Sequence, residues 1–77
     1  MSKSDLLDAL YGESKFQIGD VIWYRNGDIV VSGKVEQKRY NLNTKERVYI
    51  CHDDEGNRIE IIENNAFSTE EEAKKAF

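Results

Sequence analysis

The sequence contains no proline, one cysteine, one histidine and no long apolar run. A single cysteine excludes an internal disulfide and a cysteine-rich zinc site. No apolar stretch approaches the roughly 18 residues that a membrane-spanning helix requires. The first residues also lack the apolar stretch of a secretory signal, so we expect a cytoplasmic location. A chain of 77 residues supports one small domain, which disfavours a large enzyme with a deep pocket.

The net charge of −4 is distributed unevenly. Residues 1–52 carry eight basic and seven acidic side chains, whereas residues 53–77 carry three basic and eight acidic ones. The stretch from Lys34 to Arg47 contains five basic and two acidic side chains. Nucleic-acid binding depends on a basic surface. The chain as a whole does not supply one, and this local patch is the one candidate.

The apolar pattern changes from helical to strand-like along the chain. Residues 4–11 have the spacing of a short helix capped by Ser4, and residues 12–15 are typical of a linker. The branched and aromatic residues 21–24 are followed by Asn26-Gly27, which predicts a hairpin. We expect the returning strand to run from residue 28 to about residue 40, with Gly33 marking a bulge or bend.

Two more strands are predicted at residues 47–52 and 58–61, and residues 66–67 could add a brief fifth. Ser68 and Thr69 are each followed three residues later by glutamate, which predicts a capped terminal helix with Phe77 facing inward. The fold class is therefore mainly β, with four to five antiparallel strands in a small barrel and a short helix at each end. An open curved sheet covered by the terminal helix is the alternative.

Residues 19–24, Gly-Asp-Val-Ile-Trp-Tyr, and residues 33–35, Gly-Lys-Val, resemble the opening of an SH3-like small barrel. Tudor, PWWP and KOW modules share that opening, although this chain lacks the proline of PWWP modules and the basic surplus of RNA-binding KOW modules. The ending, residues 67–73, is similar to the closing helix of small uncharacterised bacterial and phage proteins. The resemblance covers residues 16–77, after an N-terminal helix and linker at residues 1–15. It implies an SH3-like barrel that binds proteins or nucleic acids.

Tyrosines beside basic residues form the candidate binding surface. If they converge on one side, they make an amphipathic patch suited to gripping a peptide or stacking on a base. In the alternative, their hydroxyls cover the rim of the barrel, and Trp23 belongs to the core. The five candidate residues are Tyr24, Lys38, Arg39, Tyr40 and Tyr49.

Three other patterns indicate structure rather than chemistry. Cys51 and His52 are adjacent, but in a strand their side chains point to opposite faces, which disfavours a thiolate–imidazole pair. Residues 52–57 are acidic but do not have the spacing of an EF-hand, and their composition is ordinary for a turn. The scattered glycines form no phosphate-binding loop. We expect no metal and no cofactor.

The sequence thus predicts a small, non-catalytic binding or accessory module that engages a protein partner. A nucleic-acid-binding barrel that uses the patch from Lys34 to Arg47 is one alternative. Another is an acidic inhibitor or mimic, whose residues would be Asp53, Asp54, Glu55, Glu60 and Glu63. The N-terminal apolar stripe either covers an end of the barrel or contacts a second copy, and it consists of Leu6, Leu7, Leu10 and Tyr11.

Overall fold

The computed structural model describes residues 3–76, with side chains from residue 6 onward. The side chain of Ser4, expected to cap the first helix, and Phe77 lie outside the described part. The fold is mainly β, with five strands in two antiparallel sheets and two small helices. In chain order the elements are α1 (Lys3–Tyr11), β1 (Val21–Asn26), β2 (Ile29–Lys34), β3 (Gln37–Asn41), β4 (Glu46–His52), β5 (Arg58–Ile62), a 3₁₀ turn (Glu63–Asn65) and α2 (Glu70–Lys75).

The first sheet is the hairpin that the Asn-Gly pair predicts. Asn26 pairs with Ile29, so the loop consists of Gly27 and Asp28. Gly27 has φ +65°, and no other residue of this loop has a positive φ. A glycine at the first of two loop positions matches the right-handed twist of the flanking strands. Asn26 is therefore the last strand residue and not part of the loop.

The strand that follows this hairpin is divided in two, and the predicted bulge at Gly33 is wrong. β2 pairs with β1 residue for residue through Gly33. The irregularity lies after Lys34, where Glu36 N donates to Ile50 O at 2.9 Å while Gln37 is the partner of Ile50 in the next sheet. Two residues opposite one partner form a bulge, which redirects the chain from the first sheet into the second.

The second sheet has the order β3-β4-β5. Its first turn ends at Lys45, whose φ is +59° and whose N–H donates to Asn41 O at 2.7 Å. Its second turn is organised by Asp53, whose carboxylate accepts from the backbone N–H groups of Glu55 and Asn57. These turn hydrogen bonds stabilise the carboxylate and lower the pKa of Asp53, the one from Asn57 being the largest cause.

Backbone hydrogen bonds outside the two ladders hold the flanking segments against β1 and against each other. Trp23 and Phe67 exchange two of them, at 2.8 and 2.9 Å, so the predicted fifth strand is a single bridge. Val35 N donates to Asp20 O, and Gly19 N donates to Val35 O, both at 2.8 Å. The segment before β1 and the bulged segment after β2 are thereby held side by side.

The core lies between the sheets, and it reverses one prediction for β1. Tyr24 is 6% exposed and Trp23 is half-buried, because Ile22 and Tyr24 share the inward face of the strand and Trp23 lies on the other. The Tyr24 ring lies beside Gly33, where a Cβ would be 3.5 Å from Tyr24 Cε1. The core cluster comprises Phe16, Ile22, Tyr24, Val35, Tyr49, Cys51, Ile61 and Ala66.

Candidate functional site

Two pairs of opposed residues place a polar group on the inward face of the second sheet. Lys38 is opposite Tyr49, and Tyr40 is opposite Arg47. Because side chains alternate along a strand, all four lie on one face. The chain before β1 covers them: Tyr11 stacks on Tyr40 with ring centroids 3.9 Å apart and an interplanar angle of 2°. We call these four residues the polar face.

Lys38 is the centre of the polar face, and its side chain is 0% exposed. Its Nζ donates to Ser14 Oγ and Gln17 Oε1, both at 2.8 Å. It also donates to the Asp8 carboxylate, at 3.1 and 3.3 Å. All partners come from α1 and the following segment. A buried ammonium requires such partners, and their supply explains why this lysine is not on the surface.

Arg47 also pairs with the N-terminal segment, but less completely. Its NH2 donates to Gly12 O at 2.7 Å and lies 3.5 Å from Asp8 Oδ1. Its NH1 lies 3.8 Å from Glu63 Oε2. The Nε is buried and has no hydrogen-bond partner among the described residues. Its side chain is only 6% exposed, so one donor of a buried guanidinium remains unsatisfied.

Tyr49 joins the polar face to the core. Its hydroxyl accepts from Phe16 N at 3.0 Å and donates to Glu63 Oε2 at 2.5 Å. The Phe16 ring packs edge-on against the Tyr49 ring, with centroids 5.6 Å apart. Burial, followed by the hydrogen bond to the Glu63 carboxylate, raises the pKa of Tyr49 far above its usual value. Tyr49 is therefore a neutral hydrogen-bonding group.

Asp8 is the carboxylate of this cluster, and its pKa reflects opposing effects. Burial is the largest single effect and raises the pKa. The hydrogen bond and the positive charge of Lys38, together with hydrogen bonds from Ser14 and Gln17, outweigh it and leave the pKa below its usual value. Asp8 is thus held as an anion beside two cations.

The structure brings together only part of the predicted binding surface. Lys38, Tyr40 and Tyr49 share the polar face, but Lys38 and Tyr49 are buried. Tyr24 lies on β1 in the core, and Arg39 lies on the opposite face of β3, where it pairs with Glu60 at 3.8 Å. The prediction that these five residues form one exposed patch is therefore corrected. Three of the five are buried, and the five residues are divided between the two sheets.

Arg47 is predicted only as the end of the basic patch, with no role of its own. The signal for it is the register: a turn at residues 42–45 makes Asn41 the partner of Glu46, and hence Tyr40 the partner of Arg47. Pairing the residues of the two strands outward from this turn places Tyr40 opposite Arg47. It also places Arg39 on the other face of β3, away from both of them. Asp8 lies in the predicted N-terminal helix, twenty-six residues before Lys34, and that helical pattern does not show which strand Asp8 meets.

A second candidate site is the cleft between the two sheets. It has a volume of about 710 Å³ and lies between the end of β1, β5 and α2. Its apolar lining includes Tyr24, Ile59, Ile61, Phe67 and Ala73. β1 and β5 are not paired with each other, so this cleft is the place where the two sheets stay apart.

The edge of β5 beside this cleft presents backbone groups. Asp53 N donates to Asn57 O at 3.1 Å just beyond the β4–β5 ladder. In an antiparallel ladder every second pair of opposite residues is hydrogen-bonded. Because Asp53 and Asn57 form such a pair, the next hydrogen-bonded pairs along the ladder are Cys51–Ile59 and Tyr49–Ile61. Glu60 lies between them, and its N–H and C=O therefore point away from β4. An edge strand with such groups is a template for another strand.

The remaining candidates from the sequence have structural surroundings. Cys51 is fully buried, and burial raises the pKa of its thiol, whereas His52 is exposed and contacts the Glu36 carboxylate. The described residues contain no group of three or more histidine, cysteine or acidic side chains that could hold a metal ion. Within the described part of the chain, no helix is long and apolar enough to cross a membrane.

Comparison with known proteins gives no family for this chain. No protein-family model, no curated protein and no solved structure matches it significantly. Any functional conclusion therefore depends on the geometry of the polar face and the cleft.

Proposed function

We propose that the chain is a small, non-catalytic protein-binding module, built as an SH3-like barrel that is open between β1 and β5. Its ligand is an extended segment of a partner protein, which adds to β5 as a further strand. Peptides bound in this way obtain affinity from main-chain hydrogen bonds and specificity from alternate side chains. The partner would supply the strand that the two sheets lack between them.

The observation that carries this proposal is the combination of an apolar cleft with an edge of β5 that no other strand of the described residues pairs. The cleft exceeds about 300 Å³, the lower end of the range for ligand sites. Ile59 and Ile61 line it from β5, and Ala73 from α2 leaves room for a side chain. Glu60, between the two isoleucines, offers its N–H and C=O to an added strand.

The burial of basic residues disfavours the nucleic-acid alternative. Of the five basic side chains from Lys34 to Arg47, Lys38 and Arg47 are buried and bound to carboxylates. Arg39 is exposed but pairs with Glu60. The patch therefore offers few cations for phosphates. The acidic-mimic alternative loses strength similarly, because Glu63, Glu60 and Asp53 all have partners within the chain.

The test uses Glu60→Pro in the full chain, with short linear peptides selected from a displayed library. Proline removes the outward N–H of residue 60 and is tolerated on edge strands where that group faces outward. The matched control is Glu60→Thr, which removes the same carboxylate and keeps the N–H. Selected peptides should alternate apolar residues, lose about tenfold or more in affinity to the proline variant and bind the threonine variant normally.

Amide shifts on peptide binding should concentrate at residues 59–62 and Phe67. Equal affinity of both variants, or shifts centred on residues 34–45, would overturn the strand-addition proposal. Titration with single-stranded DNA of mixed sequence is run in parallel. Tight binding that weakens steeply with salt would replace the protein ligand with a nucleic acid.

A further inference from the structure

The polar face suggests a second binding site, formed by other residues than those that line the cleft. Two cations from neighbouring strands meet one carboxylate from a separate helix. Lys38 Nζ lies 3.1 Å, and Arg47 NH2 3.5 Å, from oxygens of Asp8. The cation side chains are 0% and 6% exposed, so the positions of their charges are set by the sheet and not by solvent.

Asp8 satisfies this pair of cations incompletely. It is within hydrogen-bond distance of Lys38, but its nearest approach to Arg47 is to NH2 at 3.5 Å. The Arg47 Nε is buried without a partner among the described residues. A carboxylate that binds an arginine side-on takes both Nε and NH2 in two parallel hydrogen bonds. The site therefore has a donor for a carboxylate that Asp8 does not use.

α1 is attached in a way that allows it to leave. Leu6 and Leu10 are 51% and 64% exposed, so the helix turns Asp8 inward and much of its apolar surface outward. A nine-residue helix is marginal in water on its own. Among the described side chains of α1, those from residue 6 onward, the contacts with the sheet are polar apart from half-buried Leu7 and the stacking of Tyr11 on Tyr40.

We propose that Lys38 and Arg47 form a carboxylate-binding site that Asp8 occupies within the chain, and that an acidic side chain of a partner protein replaces Asp8 when α1 is released. The chemistry of the occupant follows from α1 itself. Asp8 and Tyr11 are three residues apart on one helical face, so the matching partner segment carries a carboxylate and, three residues later, an aromatic ring that stacks on Tyr40. α1 then acts as an internal competitor.

The first experiment is chemical rescue of the full-length Asp8→Ser variant. Acetate should raise its melting temperature and shift the ¹⁵N–¹H signal of Arg47 Nε, relative to chloride at the same ionic strength. Asp54→Ser, which removes an exposed carboxylate from a turn, is the matched control and should not respond. No response to acetate in the Asp8 variant, or an equal response in both, would overturn the site. If Asp8→Ser does not fold, the Arg47 signal of Asp8→Asn is followed instead, with the same two outcomes.

The second experiment distinguishes a partner side chain from a small carboxylate. A labelled peptide with the sequence of residues 5–13 is titrated into Asp8→Ser, beside a peptide with asparagine at the position of Asp8. The acidic peptide should bind about tenfold or more tightly than its asparagine counterpart, and its affinity should fall in wild type, where Asp8 competes. Rescue by acetate with no preference between the peptides would overturn the partner and competitor parts of the proposal. Neither experiment involves β5, so the strand-addition proposal stands or falls separately.

Discussion

At Gly33 the backbone of β2 lies close to a side chain of β4. A Cβ on Gly33 would lie 3.1 Å from Cys51 Cβ, 3.4 Å from Cys51 Sγ and 3.5 Å from Tyr24 Cε1. Its backbone has no positive φ, so glycine is required here for space and not for conformation. Since Cys51 Cβ is fixed to the β4 backbone, the contact can relax only if the sheets separate slightly.

Gly33→Ala should therefore lower the free energy of unfolding by about 1–3 kcal/mol, the usual cost of overpacking a core. Urea unfolding followed by tryptophan fluorescence measures this. Ser32→Ala, one residue earlier on the exposed side of β2, is the control and should change stability by less than about 0.5 kcal/mol. Equal stability of the two variants would show that the sheets have space for a methyl group.

The Tyr49 hydroxyl is the second group whose removal should measurably lower stability. Tyr49→Phe removes the acceptor of the buried Phe16 N–H and the donor to Glu63, while the ring remains. A buried donor left without a partner costs about 1–3 kcal/mol. Tyr40→Phe is the control, because the stack on Tyr11 needs only the ring. Thermal unfolding should separate the two variants, and identical melting temperatures would contradict the role assigned to the Tyr49 hydroxyl.

The sequence does not predict reliably which individual side chains are buried and which are exposed. The sequence predicts Trp23 in the core and Tyr24 on a binding surface, whereas Tyr24 is buried and Trp23 is half-buried, because Ile22 and Tyr24 share the inward face of β1. Lys38 is expected at the surface because it falls on the polar face of the predicted second strand. Its partners Asp8, Ser14 and Gln17 come from a distant segment, and composition does not show which segments meet.

At the scale of elements, α2 is the one whose own sequence specifies it most completely, through its N-cap and its ion pairs along the helix. Thr69 Oγ1 accepts from Glu72 N at 3.1 Å, as the predicted capping box requires, and Ser68 Oγ donates instead to the Glu72 carboxylate. Glu70 and Lys74 pair at 2.7 Å along the helix. Ala73 is buried, so fraying of α2 would expose part of the packed structure.

Thr69→Ala should cost about 1 kcal/mol of unfolding free energy, the typical loss for an N-cap. Ser68→Ala removes only an exposed contact between side chains and should cost less than about 0.5 kcal/mol. Hydrogen exchange at the Glu72 amide gives a local measurement beside global unfolding. If both substitutions had the same small effect, α2 would not depend on its cap.

The positions of strands are largely predictable where characteristic turn-forming residues flank them. The hairpin at Asn26-Gly27, the strand at residues 47–52 and the strand at residues 58–61 each match an observed element within one residue. The long second strand was not divided in the prediction, because the bulge at Glu36 and Gln37 depends on pairing with Ile50 in another hairpin. α1 was predicted in place, but its inward side is polar, which only the meeting of Asp8 with Lys38 and Arg47 explains.

At the scale of the whole molecule, the distribution of charge changes on folding. Lys38 and Arg47 are withdrawn from the surface with Asp8, while the acidic side chains of α2 stay exposed. The outer surface is accordingly less basic around residues 34–47 than the sequence predicts. That loss is why a protein ligand is favoured over a polyanion, and a formal charge count could not foresee it.

Because Asp8 pairs with the buried side chains of Lys38 and Arg47, the free energy of unfolding should depend on pH in the acidic range. Asp8 is an anion facing Lys38 and Arg47, with Glu63 on the far side of the arginine, and its pKa is below the ordinary 3.8. The unfolded chain therefore takes up a proton at Asp8 before the folded chain does, so the stabilisation is present above the ordinary pKa and is lost as the pH falls through the lower folded pKa. Asp8→Asn should be less stable than wild type at neutral pH, and this difference should shrink as the pH falls below the ordinary pKa of 3.8. Urea unfolding of both proteins across that range measures the difference. Parallel curves would mean that the difference in stability does not depend on the ionisation of Asp8, so the charge of Asp8 would not be what stabilises the attachment of α1.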